Sequence, residues 1–188
     1  MPLLHARQLF AGSLLGCALS LPTACAMHAE VAAQPPVQPP VQRASVTLQR
    51  STCLGNCPGY SVTVTPDGRV SFSGHAHVQT AHAEGHATPD QLADIQRALT
   101  ASGFATMKSN YTSRNDGCEM VMSDQPGVKI TVSDATANKT VDFYEGCTGA
   151  LADAVRPRIE QLAQRIDEAL QTAQWIGTPD APGAAVER

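Results

Sequence analysis

The segment Tyr60-Ser61-Val62-Thr63-Val64-Thr65-Pro66-Asp67-Gly68-Arg69-Val70-Ser71-Phe72-Ser73 decides the fold. Val62 and Val64 before the turn, and Val70 and Phe72 after it, recur with a period of two, so each flank is a strand with one apolar face. Between them Pro66 presets φ, Asp67 hydrogen-bonds its own backbone, and Gly68 reaches φ values that side chains disfavour. The expectation is a β-hairpin. Upstream, Ser45-Val46-Thr47-Leu48-Gln49-Arg50 alternates in the same way and adds a strand. Downstream, the ragged stretch from Gly74 to Ala87 is expected to prolong the second strand through His77 and Val78 before the chain leaves the sheet.

Thr88-Pro89-Asp90-Gln91 combines a capping threonine, proline at the first helical position, an acid in the first turn and a glutamine that closes a capping box. Leu92, Ile95, Ala98 and Leu99 form the apolar stripe of the helix that follows, and Gly103-Phe104 marks its end. Asn110 to Gly117 reads as a polar loop. Met120 to Met122 and Val128 to Val132 read as strand pieces separated by the turn Asp124-Gln125-Pro126-Gly127, and Thr140 to Tyr144 returns as the partner strand of a second hairpin. From Leu151 the positions Val155, Ile159, Leu162, Ile166, Leu170 and Ala173 step by three or four along a long amphipathic helix. Pro157 marks either the first turn of that helix or a kink in it. The fold class is therefore α+β: a small antiparallel sheet, built from two hairpins and an N-terminal strand, packed by two helices over residues 44–176. Residues 177–188 read as a flexible tail.

Four cysteines, Cys53, Cys57, Cys118 and Cys147, fall in this domain and allow three pairings. Spacing favours Cys53 with Cys57, because Leu54-Gly55-Asn56 between them and Pro58-Gly59 after them are rich in turn formers; Cys118 then pairs with Cys147. An even number of cysteines in an exported chain points to structural disulfides. The competing reading is a thiol-disulfide redox pair at Cys53 and Cys57, but such pairs separate their cysteines by two residues at a helix start, whereas three intervene here and a strand follows. A zinc site would want a second closely spaced pair.

His75, His77, His82 and His86 lie within twelve residues. Residues two apart on a strand share a face, so His75 and His77 are placed to offer imidazoles to one copper, zinc or nickel ion, with His82 or His86 joining from a loop. The competing reading is a solvated, histidine-bearing loop, and no cofactor is expected.

Residues 1–26 read as a secretory signal, with Arg7 ahead of an apolar run from Leu9 to Leu21 that is too short to cross about 30 Å of hydrocarbon. Leu21-Pro22-Thr23-Ala24-Cys25 resembles a bacterial lipobox with Cys25 as the lipidated residue, and Ala24-Cys25-Ala26 equally fits ordinary signal cleavage. Residues 27–43, in which Pro-Pro-Val-Gln occurs twice, read as a polyproline-like spacer. The chain carries 13 Lys+Arg against 17 Asp+Glu and no basic cluster, which excludes nucleic acid as a partner class and limits membrane contact to a lipid anchor. Gly-x-Ser-x-Gly, a phosphate loop and paired carboxylates are all missing from the sequence, so hydrolase and nucleotide chemistry find no support.

Thr52-Cys53-Leu54-Gly55-Asn56-Cys57-Pro58-Gly59-Tyr60-Ser61-Val62, followed by Pro66-Asp67-Gly68 and Phe72-Ser73-Gly74, resembles the DUF6438 family of bacterial domains, whose hallmark is a Cys-x-Gly-x-Cys-Pro segment between two strands. The resemblance covers roughly Ala44 to Ile176. It implies an exported, often lipid-anchored envelope protein with no established activity. Cys118 and Cys147 look like an addition to the family pattern, which supports their pairing with each other. The expected function is that of a non-catalytic, disulfide-stabilised envelope domain, periplasmic or lipid-anchored, that binds an envelope protein or a small ligand. A metal-binding protein and a thiol-disulfide protein are the alternatives.

Overall fold

The computed structural model describes residues 44–177. The proposed signal at 1–26 with Cys25, the spacer at 27–43 and the tail beyond Gly177 lie outside the described residues. The strands are β1 (Ser45–Arg50), β2 (Gly59–Val64), β3 (Arg69–Ala76), β4 (His82–His86), β5 (Asn110–Tyr111), β6 (Met120–Val121), β7 (Gly127–Ser133), β8 (Asn138–Tyr144) and β9 (Cys147–Thr148). The helices are α1 (Pro89–Ser102), α2 (Ala150–Leu170) and the short α3 (Ala173–Ile176).

Period-two alternation sets which face of the sheet is buried. Val46 and Leu48 on β1, Tyr60, Val62 and Val64 on β2, Val70 and Phe72 on β3, Val128 and Ile130 on β7, and Val141 and Phe143 on β8 all point into one core. That core is closed by Leu92, Ile95 and Leu99 of α1 and by Val155, Ile159, Leu162, Ile166 and Leu170 of α2. The main sheet is a single seven-stranded unit in the order β4-β3-β2-β1-β7-β8-β5, antiparallel throughout except for the β5–β8 pair. The N-terminal strand is its centre: Leu48 sits opposite Val62 on one side and Ile130 on the other, so β1 joins the two hairpins.

Both expected helices are present. At α1 the capping box closes as the sequence indicates, with Gln91 N donating to Thr88 Oγ1 and Thr88 N donating to Gln91 Oε1, and Gly103 ends the helix at φ 66°. Pro157 is not in the first turn: α2 begins at Ala150 and carries Pro157 inside the helix, on its exposed side.

Three features differ from the sequence reading. The second strand of the first hairpin stops at Ala76, since His77 adopts φ 52°; after a turn, the segment read as ragged returns as the edge strand β4. Tyr111, expected in a loop, is buried on the short parallel strand β5. Met120 and Val121 do not join the main sheet but pair with β9 in a separate two-stranded ribbon. Among the described residues, no helix is long and apolar enough to cross a membrane.

Candidate functional site

With both main helices on one face, the other face of the sheet carries polar side chains, and the register arranges them in rows. One row runs His82, Ser73, Ser61, Gln49, Lys129, Asp142 across β4, β3, β2, β1, β7 and β8. The next runs Glu84, Ser71, Thr63, Thr47, Thr131, Thr140. Thr47 and Thr63 share a hydrogen bond of 2.9 Å, and Thr131 and Thr140 one of 3.0 Å, so their hydroxyls satisfy one another across the strands. Lys129 Nζ lies 2.7 Å from Asp142 Oδ2 and neutralises it.

Two shallow concavities meet at Ser61. One, of about 310 Å³, is lined by Gln49, Ser51, Ser61, His75, Lys129 and Asp142 among others. The second, of about 420 Å³, is lined by Ser61, Thr63, Ser71, Ser73, His82 and Glu84 among others. His75 enters the first because the β2–β3 register slips there: Gly59 faces Ala76 and Tyr60 faces Gly74, which leaves His75 as the extra residue of a bulge. Gly59 makes room for it, since a Cβ at that position would lie 2.9 Å from Thr52 Cγ2 and 3.0 Å from His75 Cδ2.

The other histidines are dispersed. His77 lies beyond the end of β3, so it does not share a strand face with His75. His82, Glu84 and His86 are exposed at alternate positions of β4. Among the described residues, no three or more His, Cys, Asp or Glu side chains are grouped to hold a metal ion.

All four cysteines of the described domain are paired, Cys53 with Cys57 and Cys118 with Cys147, with Cα separations of 5.5 and 5.2 Å. The Cys53–Cys57 loop connects two strands rather than opening a helix, so no helix dipole is aimed at either sulfur to favour a thiolate. Leu54 N donates to Asp124 O at 3.0 Å, which fastens this loop to the segment after β6. Cys118–Cys147 brackets the β6–β9 ribbon, where Met122 N donates to Gly146 O at 2.9 Å.

A polar cluster that sequence reasoning missed joins the sheet to the end of α2. Asp167 accepts from Arg50 Nε at 2.9 Å, from Tyr60 Oη at 2.7 Å and from Thr172 Oγ1 at 2.8 Å. Burial and the adjoining Asp167 carboxylate hold the Tyr60 hydroxyl well above the usual phenol range. Burial opposes the charge on Arg50, but Asp167 and Tyr60 outweigh it and raise the guanidinium further. The missed signal was the phase of β1, in which Arg50 follows Val46 and Leu48 onto the buried face. Nearby, burial and the Glu160 carboxylate push the Glu145 carboxyl up, against the pull of Arg50 and Arg156.

A search among curated proteins finds no match to the chain. The model of the domain of unknown function DUF6438 matches residues 44–170 of the 188, and the chain belongs to the DUF6438 family.

Proposed function

We propose that this chain is an exported, non-catalytic domain of the bacterial cell envelope that binds another envelope component through the uncovered face of its sheet. The observation that carries the reading is the pair of adjoining polar concavities that share Ser61. Their lining is rich in hydroxyl groups, and its charges offset one another: the cations Arg50 and Lys129 stand against the anions Asp142 and Glu84, with Lys129 paired to Asp142 and Arg50 held by Asp167. Such a surface offers donors and acceptors together without a net field, which suits a neutral polyhydroxylated chain, a glycan, better than a phosphate or a basic peptide. Binding is favoured over catalysis because the threonine hydroxyls bond to each other and not to a base that would activate them. The two disulfides and the signal-like residues 1–26 support export to an oxidising compartment.

The test is an amide NMR titration of the domain with neutral tetrasaccharides, chitotetraose and cellotetraose, to about 5 mM, above the 1 mM Kd that corresponds to about −4.1 kcal/mol. Expected are shifts grouped at Gln49, Ser61, Ser73 and Lys129, abolished by Gln49→Leu with Ser61→Val. Absence of any shift on this face, or shifts that survive the double variant, would overturn the proposal.

A further inference from the structure

The exposed large hydrophobic side chains among the described residues are Leu54, Met120, Val121, Met122 and Leu151, and each lies within four residues of a disulfide cysteine. Leu54, 84% exposed, is at the tip of the Cys53–Cys57 loop, and that loop is bonded through Leu54 N to the segment that follows Met122. Met120 and Val121 form β6, bracketed by Cys118–Cys147, and Leu151 lies over Gly117, whose Cβ would come 2.9 Å from Leu151 Cδ2. The two crosslinks thus hold apolar side chains out in water at one end of the domain. Burying them would stabilise the free protein, so their exposure calls for a partner. A covalently braced patch has already lost the loop freedom that docking would otherwise cost.

The charges around the patch select the partner. Residues 51–58, 118–126 and 145–153 contain Glu119, Asp124, Glu145 and Asp153 and not one lysine or arginine. Of the bases next to these windows, Arg50 and Lys129 are paired with Asp167 and Asp142, Lys108 Nζ donates to the carbonyl of Asp116 at 2.8 Å, and Arg156 is spent inside the fold: it donates to the carbonyls of Glu145 and Cys147 at 2.9 and 2.6 Å, lies 3.8 Å from Asp153 and sits 5.1 Å above the Phe143 ring. An apolar patch with an acidic border is repelled by an anionic lipid surface and by a second copy presenting the same border. It is attracted to an apolar groove with a cationic rim. Methionines adapt their shape to such a groove at little cost.

We infer that the disulfide-braced end is a docking surface for an exported protein that presents an apolar groove bordered by lysine and arginine. It is separate from the polar sheet face, so either assignment stands or falls alone. The test places a photo-crosslinking residue at Leu54, at Met122 or, as a control, at Thr63 of the full chain in intact cells, and identifies the adducts by mass spectrometry. The protein captured is then purified and its binding to the chain measured. Expected is the same protein from Leu54 and Met122 and not from Thr63. Leu54→Glu with Met122→Glu should weaken its binding at least about tenfold while leaving thermal melting unchanged, because both side chains are already exposed. Asp124→Asn, and salt raised until the Debye length falls to about 3 Å, should slow association. Crosslinks to phospholipid with sedimentation on phosphatidylglycerol vesicles, crosslinks between two copies of this chain, no adduct at either position, or a partner indifferent to the double variant would each overturn the inference.

Discussion

Replacing Asp167 with alanine removes one acceptor from three donors, and the geometry sets the cost. Tyr60, 1% exposed, keeps only its contact with Arg50 Nε at 3.0 Å, and the buried Thr172 loses its side-chain partner. The Arg50 side chain, 25% exposed, loses the carboxylate 2.8 Å away but can turn toward water. Breaking a buried ion pair costs about 3–5 kcal/mol when the surviving charge is trapped. Partial exposure of Arg50 reduces that share, and the stranded hydroxyls add about 1–3 kcal/mol, for a total of about 3–5 kcal/mol. At about 3–5 °C per kcal/mol for a domain of this size, melting should fall by roughly 10–20 °C. Tyr60→Phe deletes one donor, leaves the ion pair intact and should cost about 1 kcal/mol. Arg50→Met with Asp167→Leu removes both charges at once and should recover much of the alanine loss. The assay is urea and thermal unfolding at pH 7 with disulfides intact. A loss below about 1 kcal/mol for Asp167→Ala at an unchanged m-value, or a double variant no better than the single, would refute the view that this cluster clamps α2 to the sheet.

Glu145 gives a pH signature. Its carboxyl is raised in the fold, so it favours the folded state below the ordinary carboxylate range, and that contribution disappears as pH rises through the raised value. Glu145→Gln, which cannot ionise, should therefore melt higher than the parent at pH 7 and converge with it below about pH 4, as followed by calorimetry across pH. Gly59→Val should shift the His75 imidazole resonances and cost about 1–3 kcal/mol by overpacking against Thr52 and His75; an unmoved His75 signal would show that the bulge does not depend on that glycine.

What was legible in the sequence followed the strength of local signals. The first hairpin and α1 were readable because Val62, Val64, Val70 and Phe72 keep strict alternation and because Thr88 and Gln91 form a cap that does not depend on tertiary contacts. β4 was not readable, since its inward positions are Ala83 and Gly85. They are small for a tertiary reason: a Cβ on Gly85 would already be 3.4 Å from the Trp175 ring, which comes from the far end of the chain. Tyr111 was lost in a loop because a two-residue strand presents no period to detect. The polar face was implicit in the outward residues of each strand, but its continuity depends on β1 lying between the hairpins, which only the register reveals. Met120 to Met122 read as an ordinary strand, because apolar character in a sequence does not say which surface it meets.

The two disulfides should prove unequal, and the inequality separates the ends of the molecule. In the loop-entropy picture a crosslink across 29 residues, as between Cys118 and Cys147, contributes about 3.6 kcal/mol, and one across 4 residues, as between Cys53 and Cys57, about 1.9 kcal/mol. Cys118 and Cys147 are also core residues, at 4% and 0% exposure, so alanine at both positions adds a packing loss, whereas the Cys53–Cys57 loop is open to solvent. Cys118→Ala with Cys147→Ala should therefore destabilise the domain by clearly more than Cys53→Ala with Cys57→Ala. Hydrogen exchange should then locate the effect. Glu119 N donates to Thr148 O at 2.8 Å and Met122 N to Gly146 O at 2.9 Å in a ribbon outside the seven-stranded sheet, so these amides should lose protection while those of β1 and β7, paired on both sides or at the sheet centre, keep theirs. Uniform loss of protection across both sheets would mean that the Cys118–Cys147 bridge supports the whole fold, not the end at which Met120, Val121 and Met122 are displayed.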